Sequence, residues 1–196
     1  MAAHFTGNVS VTWLSEAGDD RSVKLNQDFT FVDGAALAWT AKKNAVVDGA
    51  SIPQIFWTTF GPPFVGDYRR ASVVHDYFCT VRTRSAEATH RMFYEACRAG
   101  GVGETRAQLM YAMVRTFGPN WRTASGAIAV NGVVVLEEGA QVSVMHSMSD
   151  IDFHNLLKWI ETEAPGIEAI DAEIDRRAQE IPVLPPPQER PPNAQF

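Results

Sequence analysis

Three stretches of helical periodicity between residues 67 and 117, separated by strong breakers, limit the folds open to this chain more than any other feature. No regular element continues through Gly61-Pro62-Pro63, so the first helix starts near Asp67 and places Tyr68, Ala71, Val74 and Phe78 at helical spacing. The second begins at Ser85, an N-cap residue with Glu87 in the first turn. It sets Ala88, Met92 and Ala96 on one face and stops at Gly100-Gly101. A third, over residues 104–117, carries Leu109, Met110, Met113, Val114 and Phe117 and ends at Gly118-Pro119. Apolar stripes of this kind belong to a core.

Upstream the period changes to two. Val9, Val11 and Trp13 alternate within residues 5–13, and Val23, Leu25, Phe29 and Phe31 within residues 21–31, which predicts two antiparallel strands joined through the turn formers Glu16 to Asp20. A third strand, Ala45 to Val47, leads into a structured loop, Asp48-Gly49-Ala50-Ser51-Ile52-Pro53. The predicted class is α+β: a small antiparallel N-terminal sheet followed by a three-helix core. Beyond Arg122, residues 127–136 and 141–144 predict a hairpin turning at Gly132 or at Glu137-Glu138-Gly139. Residues 150–179 predict a helix broken at Pro165-Gly166, and residues 182–196, with six prolines, an extended or disordered tail. The expected organisation is a domain over 1–122, a hairpin and helical appendage over 123–181, and the tail.

A chain of 196 residues that is 45% hydrophobic supplies such a core without disulfides, and its two cysteines, Cys79 and Cys97, are expected as buried thiols. The formal net charge of −6 argues against general nucleic-acid binding. Arg69, Arg70, Arg82 and Arg84 are expected as solvated helix ends, with contact to an anion as the second reading. The longest apolar run, Ile128 to Leu136, is interrupted by Asn131 and Gly132 and falls short of the roughly 20 residues of a membrane span. The first residues lack the basic start and apolar stretch of a secretory signal, so the cytoplasm of the producing cell is the expected compartment.

Chemistry is expected at His75 and Asp76, adjacent in the middle of an apolar helix. Neighbouring helical residues point about 100° apart, so each must reach a different partner. If the helices flanking residues 80–84 run antiparallel about residue 82 or 83, His75 lies opposite His90 or Arg91. Imidazole, carboxylate and a second imidazole can then build a general-base or metal site, with His75, Asp76 and His90 as the catalytic set and Asp76 and Asp48 as candidate metal ligands. Ser51 is expected to cap or turn its loop, and His4, His146 and His154 are isolated.

The blocks D-G-A-S-I-P-x-I-F-W, F-G-P-P, R-R-A-S-V-V-H-D-Y, F-Y-E-A and L-M-Y-x-x-V-R-x-F-G together resemble domain-of-unknown-function family 1353, over about residues 5–122. The resemblance implies a phage or prophage origin. One position departs from it: the family usually presents an Asp on the second helix where this chain has His90. The His-Asp pair facing a second helix is also similar to the core of phospholipase A2 enzymes. That similarity implies His75 as base, Asp76 as calcium ligand and His90 in the place of the acid that orients the base. Two functions are therefore expected. One is a virion- or tail-associated or host-interacting component that binds a protein partner. The other is a metal-dependent hydrolase using calcium or zinc.

Overall fold

A computed structural model describes residues 2–14, 22–48, 66–126, 128–130, 133–136 and 139–183. The N-terminal region forms six short strands: β1 (His4–Thr6), β2 (Val11–Trp13), β3 (Val23–Leu25), β4 (Phe29–Val32), β5 (Ala38–Ala41) and β6 (Val46–Val47). They form two antiparallel sheets, ordered β1-β4-β5 and β2-β3-β6. Each expected long strand is cut in two by a local break. Gly7 adopts φ +76°, in the left-handed region that favours glycine, and Asn26-Gln27-Asp28 is an exposed turn. The expected face survives these breaks, since Val23, Leu25, Phe29 and Phe31 are all buried. Trp13 differs: it is 60% exposed. Strand β5, which the alternation did not suggest, is folded back by Asp33, whose carboxylate accepts the amides of Ala35 and Leu37 and the indole N–H of Trp39. The expected turn at residues 16–20 and the loop from Gly49 to Pro53 lie outside the described residues, as does Gly61-Pro62-Pro63.

The three helices stand where the sequence places them: α1 (Arg69–Val81), α2 (Ala86–Gly100) and α3 (Glu104–Phe117). Ser85 caps α2 by accepting the Ala88 amide at 3.2 Å, and Gly101, at φ +102°, closes it. Helix α1 buries six consecutive residues, Ala71 to Asp76, so it is enclosed on nearly all sides by α2, β4, β5 and β6. Where α2 ends, a Cβ on Gly100 would stand 2.4 Å from the Asp67 carbonyl oxygen, an approach that only glycine permits.

The remaining elements are β7 (Asn120–Thr123), β8 (Ile128–Val130), β9 (Val133–Leu136), β10 (Gln141–Ser147), α4 (Asp150–Glu163), α5 (Ile167–Arg177) and β11 (Gln179–Val183). Strands β8 and β9 pair as a hairpin, while β10 pairs with both β7 and β11 in a third sheet. The helix break at Pro165-Gly166 is present between α4 and α5. Strand β11 takes in Pro182 and Val183, two residues past the expected start of the tail, and residues 184–196 lie outside the described part. Proline is tolerated there because β11 is an edge strand.

Helices α4 and α5 cover the second face of α3, which accounts for its burial beyond the expected stripe at Ala107, Tyr111 and Ala112. Leu156, Ile160, Ile170 and Ile174 are 0% exposed and belong to the same cluster as Phe29, Phe31 and Met92. Each contributes about 1.5–3 kcal/mol by leaving water. Asp171 adds a buried polar tie, accepting from Arg91 Nη2 at 2.6 Å and from the Tyr111 hydroxyl at 2.5 Å. Among the described residues no helix is long and apolar enough to cross a membrane.

Candidate functional site

The α1–α2 connection fixes the site. Helix α1 ends at Arg82, which adopts φ +50° and donates its amide to the Phe78 carbonyl at 2.9 Å. Three residues later the Ser85 cap starts α2 running back along α1. His75 and His90 therefore meet across the hairpin, as the antiparallel argument anticipates, with His75 Nε2 2.9 Å from His90 Nδ1. One turn below His75 on the same helix, Cys79 Sγ lies 3.6 Å from His75 Nε2. Phe93 packs on the His75 ring at 4.6 Å between centroids, and Trp121 approaches His90 edge-on at 6.3 Å.

Both imidazoles are 0% exposed. Burial, reinforced by His90, holds His75 well below the ordinary histidine range. Burial also lowers His90 to about 3, with the Arg115 charge adding to the effect, while the Asn120 side chain and the Pro119 backbone oppose it. At neutral pH the pair is uncharged and shares a single proton along its N···N contact. The side-chain amide of Asn120 donates to the Arg115 and Gly118 carbonyls, which leaves its oxygen as the group that favours a proton on His90. Among the described residues His90 Nε2 has no hydrogen-bond partner. Which of His75 Nε2 and His90 Nδ1 donates follows the tautomer of the pair.

Asp76 turns away from this pair. Its Oδ2 accepts the Asp48 backbone amide at 2.9 Å, tying the residue after β6 to the middle of α1. Asp48 thus meets Asp76 through its main chain. Among the described residues, the donor atoms that converge within 4.8 Å of one another are those of His75, Cys79 and His90, all buried. Cys79, read from the sequence only as a buried thiol, joins the cluster because a cysteine four residues after a histidine shares its helix face. That His-x-x-x-Cys spacing was the available signal. Ser51 lies outside the described residues. His4 and His154 are exposed, and His146 is paired with the Arg115 carbonyl at 3.0 Å.

Chemically, the cluster is a closed one. A general base has to touch the proton it removes, and an imidazole without exposed surface and with depressed basicity meets no outside water in this conformation. Nitrogen, nitrogen and sulfur are donors for zinc or cuprous ion, whereas calcium takes oxygen.

Two relatives are both uncharacterized proteins of Sinorhizobium fredii (strain NBRC 101917 / NGR234). The chain is 50% identical to y4jT over 98 residues, which are 50% of this chain and 29% of that protein. It is 36% identical to y4iH over 117 residues, 60% of this chain and 48% of the relative. The chain therefore spans less than half the length of either. No solved structure matches. The matched family segment, residues 23–114, takes in β3 through most of α3 and so contains His75, Asp76, Cys79 and His90. That segment of the chain matches the family described as protein of unknown function (DUF1353).

Proposed function

We propose that this is a non-catalytic binding component of phage or prophage origin, virion- or tail-associated or acting on the host, in which His75 and Asp76 staple the fold. The observation that carries the reading is the complete burial of His75 and His90 in a hydrogen-bonded, uncharged pair. Asp76 supports it by holding the Asp48 amide. These contacts use the polar atoms to fix α1 against α2 and the N-terminal sheet, and they leave binding to the surface. The test is mass spectrometry of particles purified from a host that encodes the chain. Stoichiometric recovery with the particles, or with one host protein, is expected; a chain that stays free in both fractions overturns the reading.

A second reading, metal-dependent hydrolysis with His75 as base and Asp76 as a ligand, keeps one observation in its favour, the convergence of His75, Cys79 and His90. That donor set selects zinc over calcium. Calorimetric titration of the metal-stripped protein with each ion, beside Cys79→Ser and His75→Gln, separates the readings. Zinc binding lost in both variants supports a metal centre. No heat from either ion, with both variants merely less stable, leaves the cluster structural.

A further inference from the structure

The donor atoms of His75, Cys79 and His90 have nearly the mutual spacing of ligands around one ion. Ligands about 2.0–2.3 Å from a shared ion stand about 3.3–3.7 Å from each other. Cys79 Sγ and His75 Nε2, 3.6 Å apart, already have that separation. His75 Nε2 and His90 Nδ1, at 2.9 Å, have to part by about half an ångström, the difference between a shared proton and a shared ion. The ring that donates in the pair then carries its proton on its other nitrogen, so the thiol proton is the one released on binding. Among the described residues no further His, Cys, Asp or Glu joins the group. Asp76 directs Oδ2 to the Asp48 amide and is not one of the converging donors.

Charge and the number of donors select the ion. Both imidazoles are 0% exposed and Cys79 is 6% exposed, with Phe93 and Trp121 against the rings. An uncompensated charge is strongly penalised in such a place. One thiolate and two neutral imidazoles cancel a monovalent cation but leave a divalent one with a net positive charge. Arg115 makes that surplus costlier, since its field acts on His90 with the same sign. Three donors also fall one short of the four that zinc takes in a closed site, whereas the soft cuprous ion is satisfied by three.

We propose that His75, Cys79 and His90 bind one cuprous ion in a three-coordinate site of two nitrogens and one sulfur, which fastens α1 to α2. The inference rests on the non-catalytic reading of this cluster and adds a ligand to it, because a ligated His75 has no lone pair left to act as a base. Entry is from the sulfur side. Cys79 packs with Ala86 and Trp121, and these two residues line an open cleft of about 750 Å³ between the α1–α2 turn and the sheet of β7, β10 and β11. An ion arriving through the cleft meets the thiol first and the imidazoles second. Copper uptake and recovery with particles are separate measurements, so the failure of one leaves the other standing.

The test transfers cuprous ion anaerobically from its coloured bicinchoninate complex to the reduced, metal-stripped full chain. One equivalent per chain is expected to move, and zinc in about tenfold excess should not displace it. Uptake should fall at least about tenfold in Cys79→Ser, as loss of the thiolate requires. It should persist in Cys97→Ala, which removes the other buried thiol. X-ray absorption of the loaded wild type, a measurement that needs no variant to fold, should show two nitrogens and one sulfur around the copper. No transfer, undiminished transfer to Cys79→Ser, or a copper shell with two sulfurs overturns the proposal. Displacement by zinc carrying a fourth, oxygen ligand also overturns it, and would favour the hydrolase reading.

Discussion

Lowering the pH from 7.5 to 5.5 should destabilise the metal-free protein by an amount the buried histidine pair sets. In the unfolded chain each imidazole titrates near 6.5, whereas in the folded protein burial holds His75 well below that value and His90 at about 3. The unfolded state therefore binds more protons as pH falls through 6.5, so stability is fully present above that pH and declines down to the folded values. At pH 5.5 proton uptake favours the unfolded chain by about 1.4 kcal/mol per histidine, and at pH 7.5 by less than about 0.1 kcal/mol. For two histidines the loss is about 2.7 kcal/mol, and it is insensitive to how far below 5.5 the folded values lie. The control is His75→Gln/His90→Asn, whose amide groups replace the Nε2 and Nδ1 atoms that meet at 2.9 Å and do not titrate. Urea unfolding followed by tryptophan fluorescence at the two pH values gives the four free energies. His146, also lowered by burial, contributes equally to both proteins and cancels. A wild type and variant that lose the same stability between pH 7.5 and 5.5, to within about 0.5 kcal/mol, would refute the neutral-pair argument.

Three further outcomes follow from the packing. Ile170→Ala, at a fully buried position on α5, should cost about 2–5 kcal/mol in a single unfolding transition; a separate early transition would show that the C-terminal helices unfold apart from the hairpin. Asp171→Ala should cost about 1–3 kcal/mol by leaving the buried Tyr111 hydroxyl without its acceptor, while Arg91 keeps Glu87 and Glu168 and Arg115 keeps Asp175, and Asp171→Asn less, because the amide oxygen still accepts the Tyr111 hydroxyl; chemical denaturation of both variants checks the order. Gly100→Ala should destabilise by about 1–3 kcal/mol, since its Cβ would lie 2.4 Å from the Asp67 carbonyl oxygen; a thermal midpoint equal to wild type would refute that close approach.

The helices were legible because each carries its own punctuation. Ser85, Gly100-Gly101 and Gly118-Pro119 act within a turn of their own position, so the sequence specifies those ends without knowledge of the fold. The strands were less legible. Alternation gives the buried face of Val23, Leu25, Phe29 and Phe31, yet it does not say that Gly7 and Asn26-Gln27-Asp28 interrupt the ribbons and divide them between two sheets. Strand β5 had a local sign that periodicity alone does not weigh, the Asp33-Gly34 pair, which folds the chain back so that Trp39 covers α1. Strand β11 had none, because an edge strand containing Pro182 exists only through its pairing with β10.

The same distinction between local and tertiary information accounts for the site. His75 opposite His90 follows from a short connection and two rigid helices, so a residue count across the turn places the contact. What the count leaves open is whether the pair faces solvent, and that depends on Phe93, Trp121 and the sheet that β10 builds with β7 and β11. The segments that close over the hairpin bring Asn120, Arg115 and His146 into electrostatic range of His90 from residues 25 to 56 positions further along the chain. Because His90 is depressed partly by Arg115, Arg115→Gln should raise the His90 pKa from about 3 towards the ordinary histidine value without moving His75 by a comparable amount. NMR titration of the two imidazole C–H signals checks this. Equal shifts in both rings would mean that the variant loosens the packing, and burial rather than the arginine charge would then be the quantity changed.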